Sequence, residues 1–169
     1  MAAYGYKNKV RNEIVNKLKS NMTLLKFLYY VDDLDTDITL LPSLTASQIR
    51  DVVDNYIYKY EKVEANTETD KRCYISMNYG LKQYHAQNNH YFNGNTFNLY
   101  IVCERAIDYL TQHGSRMDAI EQCIADMFDY GEVGCTGNSK VDYSEPISIK
   151  GSDYLCTHIS IIFYDKQGL

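Results

Sequence analysis

The sequence predicts an α+β fold: N-terminal helices, then a mostly antiparallel sheet of about four strands packed against one main amphipathic helix. Three observations predict it. Apolar residues recur at helical spacing between positions 10 and 28, strict apolar/polar alternation marks several later segments, and a capped helical stripe from Ser115 lies between the alternating segments. The 169 residues fit one domain, 1–169, with a helical N-terminal part at 1–60 and a sheet-plus-helix core at 72–165.

The first helix is expected over Lys9–Asn21, because Val10, Ile14, Leu18 and Met22 recur every four residues with Val15 beside them, while Lys, Arg, Asn and Glu fill the other face. Thr23 is positioned to cap a second short helix with Leu24, Leu25, Phe27 and Leu28 as its apolar body. An acidic loop follows at Asp32–Asp37, and Pro42-Ser43-Leu44 breaks the chain. Thr45 and Gln48 then fit a capping box ahead of the stripe Ile49, Val52, Val53 and Tyr56, which should end within Tyr56–Tyr60. The polar run Glu61–Arg72 reads as a mobile loop.

Arg72–Tyr79 alternates, with Cys73, Ile75, Met77 and Tyr79 on one side and Tyr74, Ser76 and Asn78 on the other, as in a half-buried strand. Gly80–Asn95 is poor in aliphatics and reads as a hairpin loop or irregular excursion tipped by Asn93-Gly94. A second strand is expected at Thr96–Glu104, whereas Ile107–Gly114 fits either a strand extension or a helix start. Ser115-Arg116-Met117-Asp118 opens the main helix, with Met117, Ile120, Ile124, Met127 and Phe128 as its buried stripe and Gly131 as its stop. Gly131–Ser139 reads as a loop. A third strand carries Val141, Tyr143, Ile147 and Ile149, and Pro146 within it favours an edge or a bulge. After the turn Gly151-Ser152-Asp153, the last strand is Tyr154–Tyr164, with Leu155, Thr157, Ile159, Ile161 and Phe163 facing one way.

A net charge of −5 argues against general phosphate-backbone binding. The aromatics comprise 17 Tyr, 5 Phe and no Trp, and tyrosine suits surfaces that alternate between wet and contacted. The five cysteines, Cys73, Cys103, Cys123, Cys135 and Cys156, are odd in number and contain no CxxC, against both a disulfide framework and a zinc site. Cys73, Cys103 and Cys123 occupy apolar-patterned positions and read as small buried hydrophobes, so a reducing compartment is the simplest setting. The N-terminus MAAYGYKNKV lacks the apolar run of a signal peptide, and the apolar stretches are too short to span a bilayer, so a soluble protein made in the cytosol is expected.

No motif reaches a chemical signature. Asp33, Asp35 and Asp37 match the first positions of a calcium loop, but Ile38 replaces the glycine and Leu44 the terminal glutamate. In Gly131–Lys140, Asn138 and Ser139 separate Gly137 from Lys140, and the segment follows a helix, so it is not a phosphate loop. His85, His90, His113 and His158 form no ligand spacing, and His158 reads as a partly exposed strand histidine. No catalytic residue, metal ligand or cofactor is therefore expected, and the chain is read as a non-enzyme. Two large aromatics, Tyr91 and Phe92, sit in an amide-rich segment with Gln83, Tyr84, Asn88, Asn89 and Asn95. That pattern fits either a contact surface or a fold-back onto the sheet.

Three stretches resemble the tail-terminator (tail-completion) proteins of long-tailed bacteriophages. They are the helical region Asn12–Val15 through Leu24–Tyr30 with Asp32-Asp33 and the Leu44-Thr45 helix start; Asn88-Asn89 ahead of Phe97–Val102; and Ser115–Ile120 with its helix, glycine-rich loop and final two strands. The resemblance implies a homo-oligomeric ring, usually a hexamer, that caps the tail tube and joins it to a head-completion or neck protein. DNA would pass through its lumen without specific binding. Its partners would be other copies of itself, the tube protein and the neck protein, with no membrane. Its location would be the virion tail or neck, and the host cytoplasm during assembly. Contacts are expected at Tyr84, Asn89, Tyr91 and Phe92 in the long loop, and at Val133, Asn138 and Lys140 in the glycine loop. Alternatives are a head–tail adaptor or other neck ring, and a small cytosolic enzyme or a phage-encoded inhibitor of a host protein.

Overall fold

The computed structural model describes residues 2–59, 73–85, 91–133, 137–148 and 152–164. Three helices come first: α1 (Ala2–Ser20), α2 (Met22–Tyr29) and α3 (Ala46–Asn55). A two-residue strand β1 (Ile57–Tyr58) leads to the long strands β2 (Cys73–His85) and β3 (Tyr91–Glu104). A short helix α4 (Arg105–Asp108) and a small hairpin, β4 (Tyr109–Leu110) with β5 (Gly114–Ser115), precede α5 (Arg116–Phe128). The chain finishes with β6 (Glu132–Val133), β7 (Gly137–Ile147) and β8 (Tyr154–Tyr164). The predicted α+β fold is what the molecule has. Its main sheet runs β1-β2-β3-β8-β7-β6 and is antiparallel except for the β1–β2 pair. Among the described residues no helix is long and apolar enough to cross a membrane.

Local signals acted as read at two helix starts. Thr45 and Gln48 form the reciprocal capping box on α3, and the Ser115 hydroxyl accepts from the Asp118 amide at the start of α5. Elsewhere the boundaries differ. Asn21, not Thr23, caps α2, accepting from the Leu24 amide at 3.0 Å, so the two N-terminal helices are separated by one residue. The segment 80–95, expected as a loop, is mostly strand: β2 and β3 pair continuously from Cys73↔Cys103 to His85↔Tyr91. Backbone pairing across a hairpin tolerates amide- and tyrosine-rich sequence that carries no apolar alternation. Likewise β7 begins at Gly137, inside the expected glycine loop, and pairs with β6 on one side and β8 on the other. Its bulge falls between Val141 and Tyr143, not at Pro146, which lies beyond the stretch of β7 that β6 pairs. The expected loop Glu61–Arg72 falls outside the described residues.

One face of the sheet carries the core. Cys73, Ile75, Met77, Phe97, Leu99, Ile101, Cys103, Ile159, Ile161 and Phe163 pack against Val10, Ile14, Leu18, Leu24, Leu28, Ile120, Ile124 and Phe128 from the helices. The end of α5 is closed by β7. The Ser139 hydroxyl donates to the carbonyls of Phe128 (2.7 Å) and Gly131 (2.9 Å), and its amide donates to Gly131 (2.7 Å). Tyr130, at φ 57°, takes the left-handed turn expected of Gly131. Gly131 is needed for a different reason: a Cβ there would lie 2.3 Å from the Met127 carbonyl oxygen.

Candidate assembly interface

The expected contact residues fall on two hairpins, and pairing register brings both to the same end of the sheet. Phe163 pairs with Asn95 on one side and Ser139 on the other, so the β2–β3 hairpin and the β6–β7 hairpin lie two strand spacings apart, about 10 Å. Among the described residues β8 pairs with β3 as far as Asn95, and β2 and β3 continue for the pairs Lys82↔Gly94, Gln83↔Asn93, Tyr84↔Phe92 and His85↔Tyr91. Among the described residues those pairs form a two-stranded ribbon that runs past the β3–β8 pairing by roughly 13 Å at the usual strand rise. Tyr84, Tyr91 and Phe92 are thus strand residues of a projecting ribbon and not loop residues. Asn89 lies outside the described residues.

On the second hairpin, Asn138 and Lys140 are exposed. The Lys140 ammonium sits 5.8 Å from the centroid of the Tyr130 ring, itself 77% exposed. Val133 does not belong with them. It is 2% exposed and joins the core, because its pairing with Gly137 folds β6 down beside α1, where the Lys17 ammonium donates to the Glu132 carbonyl at 2.8 Å.

The sheet face turned away from the helices gathers what the sequence left scattered. Along one row of the register stand Tyr58, Ser76, Tyr100, His158 and Glu145. The His158 ring stacks on Tyr100 (4.9 Å, 12°) and meets Tyr143 edge-on (5.2 Å, 88°), while its Nδ1 lies 3.4 Å from a Glu145 carboxylate oxygen. Tyr58 and Tyr74 make a second edge-on pair at 5.4 Å. His158 is therefore buried, contrary to the partly exposed histidine expected; two tyrosines from neighbouring strands cover it. Its Nε2, the Ser160 Oγ and the Thr96 Oγ1 are buried without hydrogen-bond partners among the described residues. The only sequence trace of this face is the set opposite each apolar alternation: Tyr74/Ser76/Asn78, Asn98/Tyr100 and Cys156/His158/Ser160.

Between the start of α5 and the strands β7 and β8 lies a cleft of about 410 Å³, bordered by Arg105, Asp108, Ser115, Asp118, Pro146 and Cys156 among others. Its polar groups serve the helix terminus. The Asp108 carboxylate accepts from the Ser115 hydroxyl (3.1 Å) and the Met117 amide (3.0 Å). Beside it, Arg116 is fully buried: its Nε donates to the Ile107 carbonyl (2.9 Å), and its terminal nitrogens donate to the carbonyls of Phe27 (2.8 Å), Tyr30 (3.3 Å) and Val31 (3.2 Å). A guanidinium inserted under the C-terminal end of α2 meets both its open carbonyls and the negative end of its dipole. Sequence periodicity gave Arg116 no structural role.

Several groups away from this cleft are perturbed by local causes. Hydrogen bonding from the Thr39 hydroxyl, then contact with His113 at 2.8 Å, holds the Asp37 carboxyl below its usual range. Desolvation lowers Lys17 and raises Tyr79, and burial pushes the Cys123 thiol up to about 11. The acidic loop is not an open ion cradle, since Asp35 accepts from the Thr111 hydroxyl (2.9 Å) and Asp37 engages Thr39 and His113. Among the described residues no group of three or more His, Cys, Asp or Glu side chains is arranged to hold a metal ion.

No curated protein matches the chain. The YomW family model matches residues 21–163, which is most of the chain and spans α2 through β8. The chain belongs to the YomW family, a phage-derived family of SPbeta-like prophages.

Proposed function

We propose that this protein is a structural virion component, the ring-forming terminator that caps a phage tail tube and joins it to the head or neck. The observation that carries the reading is the gathering of a projecting β-ribbon and an exposed lysine/tyrosine hairpin at one end of the sheet. A ribbon extending past its sheet has backbone donors and acceptors left to pair with another chain, the usual property of an edge that assembles. Membership of a phage-derived family supports the setting. The tyrosine-rich face supports assembly too, since such rings supply contact area at low entropic cost.

In this reading the mechanism is physical. Each subunit offers one end to the tube and withholds the tube's own growth surface at the other. Modest contacts repeated around a closed ring give avidity that none supplies alone. The net charge of −5 suits a lumen through which DNA must slide without being held.

Electron microscopy of lysates from a phage lacking the gene tests the proposal. Separate filled heads with overlong or irregular tails are the expected result. Tails of normal length without heads would move the protein to the neck ring, and intact infectious particles would overturn a structural role.

A further inference from the structure

Cys73 and Cys103 stand directly opposite one another across the β2–β3 pair, on the core face of the sheet, and both are fully buried free thiols. The Cys103 thiol donates to the Glu104 carbonyl at 3.6 Å. Directly opposed residues in an antiparallel pair have Cα atoms about 4.5–5.5 Å apart, within the 4.4–6.8 Å that a disulfide spans, so joining them needs no change of register. The other described cysteines have no such neighbour. Cys123 is on α5, and Cys156 pairs with Val102 on the opposite sheet face.

We propose that Cys73 and Cys103 are a modification site, a reversible cross-strand disulfide formed by exchange with a low-molecular-mass disulfide. When the β2–β3 pair opens locally, the Cys73 thiol loses its proton and attacks one sulfur of the oxidant, releasing one small thiol and leaving a mixed disulfide. The Cys103 thiol then attacks the Cys73 sulfur and releases the second small thiol. Two protein thiols are oxidised, one small disulfide is reduced to two thiols, and the protons lost by the cysteines are taken up by the departing thiolates. The neighbouring Cys73 thiol, with burial added, pushes the Cys103 thiol far up, so the closed pair is inert and exchange waits on local opening of the β2–β3 pair. The product would close a loop of about 30 residues by joining β2 and β3 at the end of their ladder remote from the projecting ribbon. In a reducing compartment the pair stays open; in an oxidising one it becomes a staple.

The experiment is refolding of the full chain from mild urea with oxidised glutathione, followed by non-reducing peptide mapping and thermal melts with and without dithiothreitol. The expected result is a peptide pair linked through Cys73 and Cys103, with Tm raised by about 5–15 °C and returned by the reductant. A Cys103→Ala variant treated in parallel should show no Tm shift on oxidation. Free thiols at both positions, linkage to other cysteines instead, or a Cys73–Cys103 bond that leaves Tm unchanged would each overturn the proposal.

Discussion

Replacing Arg116 with methionine isolates the guanidinium from the volume it fills. The side chain is fully buried and serves four carbonyls, those of Ile107, Phe27, Tyr30 and Val31. Two of these acceptors, on Ile107 and Phe27, belong to residues that are themselves buried. A buried acceptor left without a donor costs about 1–3 kcal/mol, and methionine supplies none. Removing a desolvated charge offsets part of that cost, and the similar length of methionine keeps the cavity small. The net loss should be about 2–3 kcal/mol of a stability that for such a domain is about 5–15 kcal/mol. In a urea titration this moves the midpoint down by about 1–2 M at an unchanged slope. Arg116→Lys should recover only part of the loss, because one ammonium cannot span acceptors on both sides of a planar fork. A midpoint within about 0.3 M of the parent for Arg116→Met would refute the assignment of this residue as the joint between α2 and α5.

Gly131→Ala should destabilise by about 1–3 kcal/mol in the same titration, because the new methyl collides with the Met127 carbonyl and the backbone must shift; a neutral result would disprove the close approach. Asp37 has a folded pKa below its unfolded value of 3.8, so it adds stability above that value and the contribution is lost as pH falls through the folded pKa. Asp37→Asn should accordingly lose less stability than the parent below about pH 4, and superimposable acid limbs would refute it. Tyr91→Ala combined with Phe92→Ala should leave the circular dichroism melt near that of the parent while blocking incorporation into particles. Particles that take up the double variant normally would remove the ribbon from the contact surface.

Helix caps and periodicities were legible because they are local. Thr45 and Gln48 settle the start of α3 within four residues, and Ser115 does the same for α5. The alternations at 73–79, 97–103 and 155–163 likewise declared which side of each strand faces the core, since a period of two needs no knowledge of the partner strand. Where a competing local signal existed, the sequence misled. Thr23 looked like a cap, but Asn21 is one residue clear of α1 and takes the role.

Pairing partners decided everything else. Gly80–Asn95 carries no apolar pattern, yet most of it is paired strand because each strand's backbone groups are satisfied by the other, a term invisible to side-chain periodicity. Val133 and Asn138 look equivalent in the sequence and part company only when β6 folds over the core. His158 and its tyrosines come together from β3, β7 and β8, and the Cys73–Cys103 apposition follows from the same β2–β3 register. Arg116 reaches carbonyls more than eighty residues away, at the end of α2 and just beyond it. What the sequence alone determined was which segments bury a face and where helices begin, because those depend on neighbours within one turn or one pleat. Which faces meet, and so where the candidate contact surface lies, is set by register and packing between distant segments, which only the folded chain specifies.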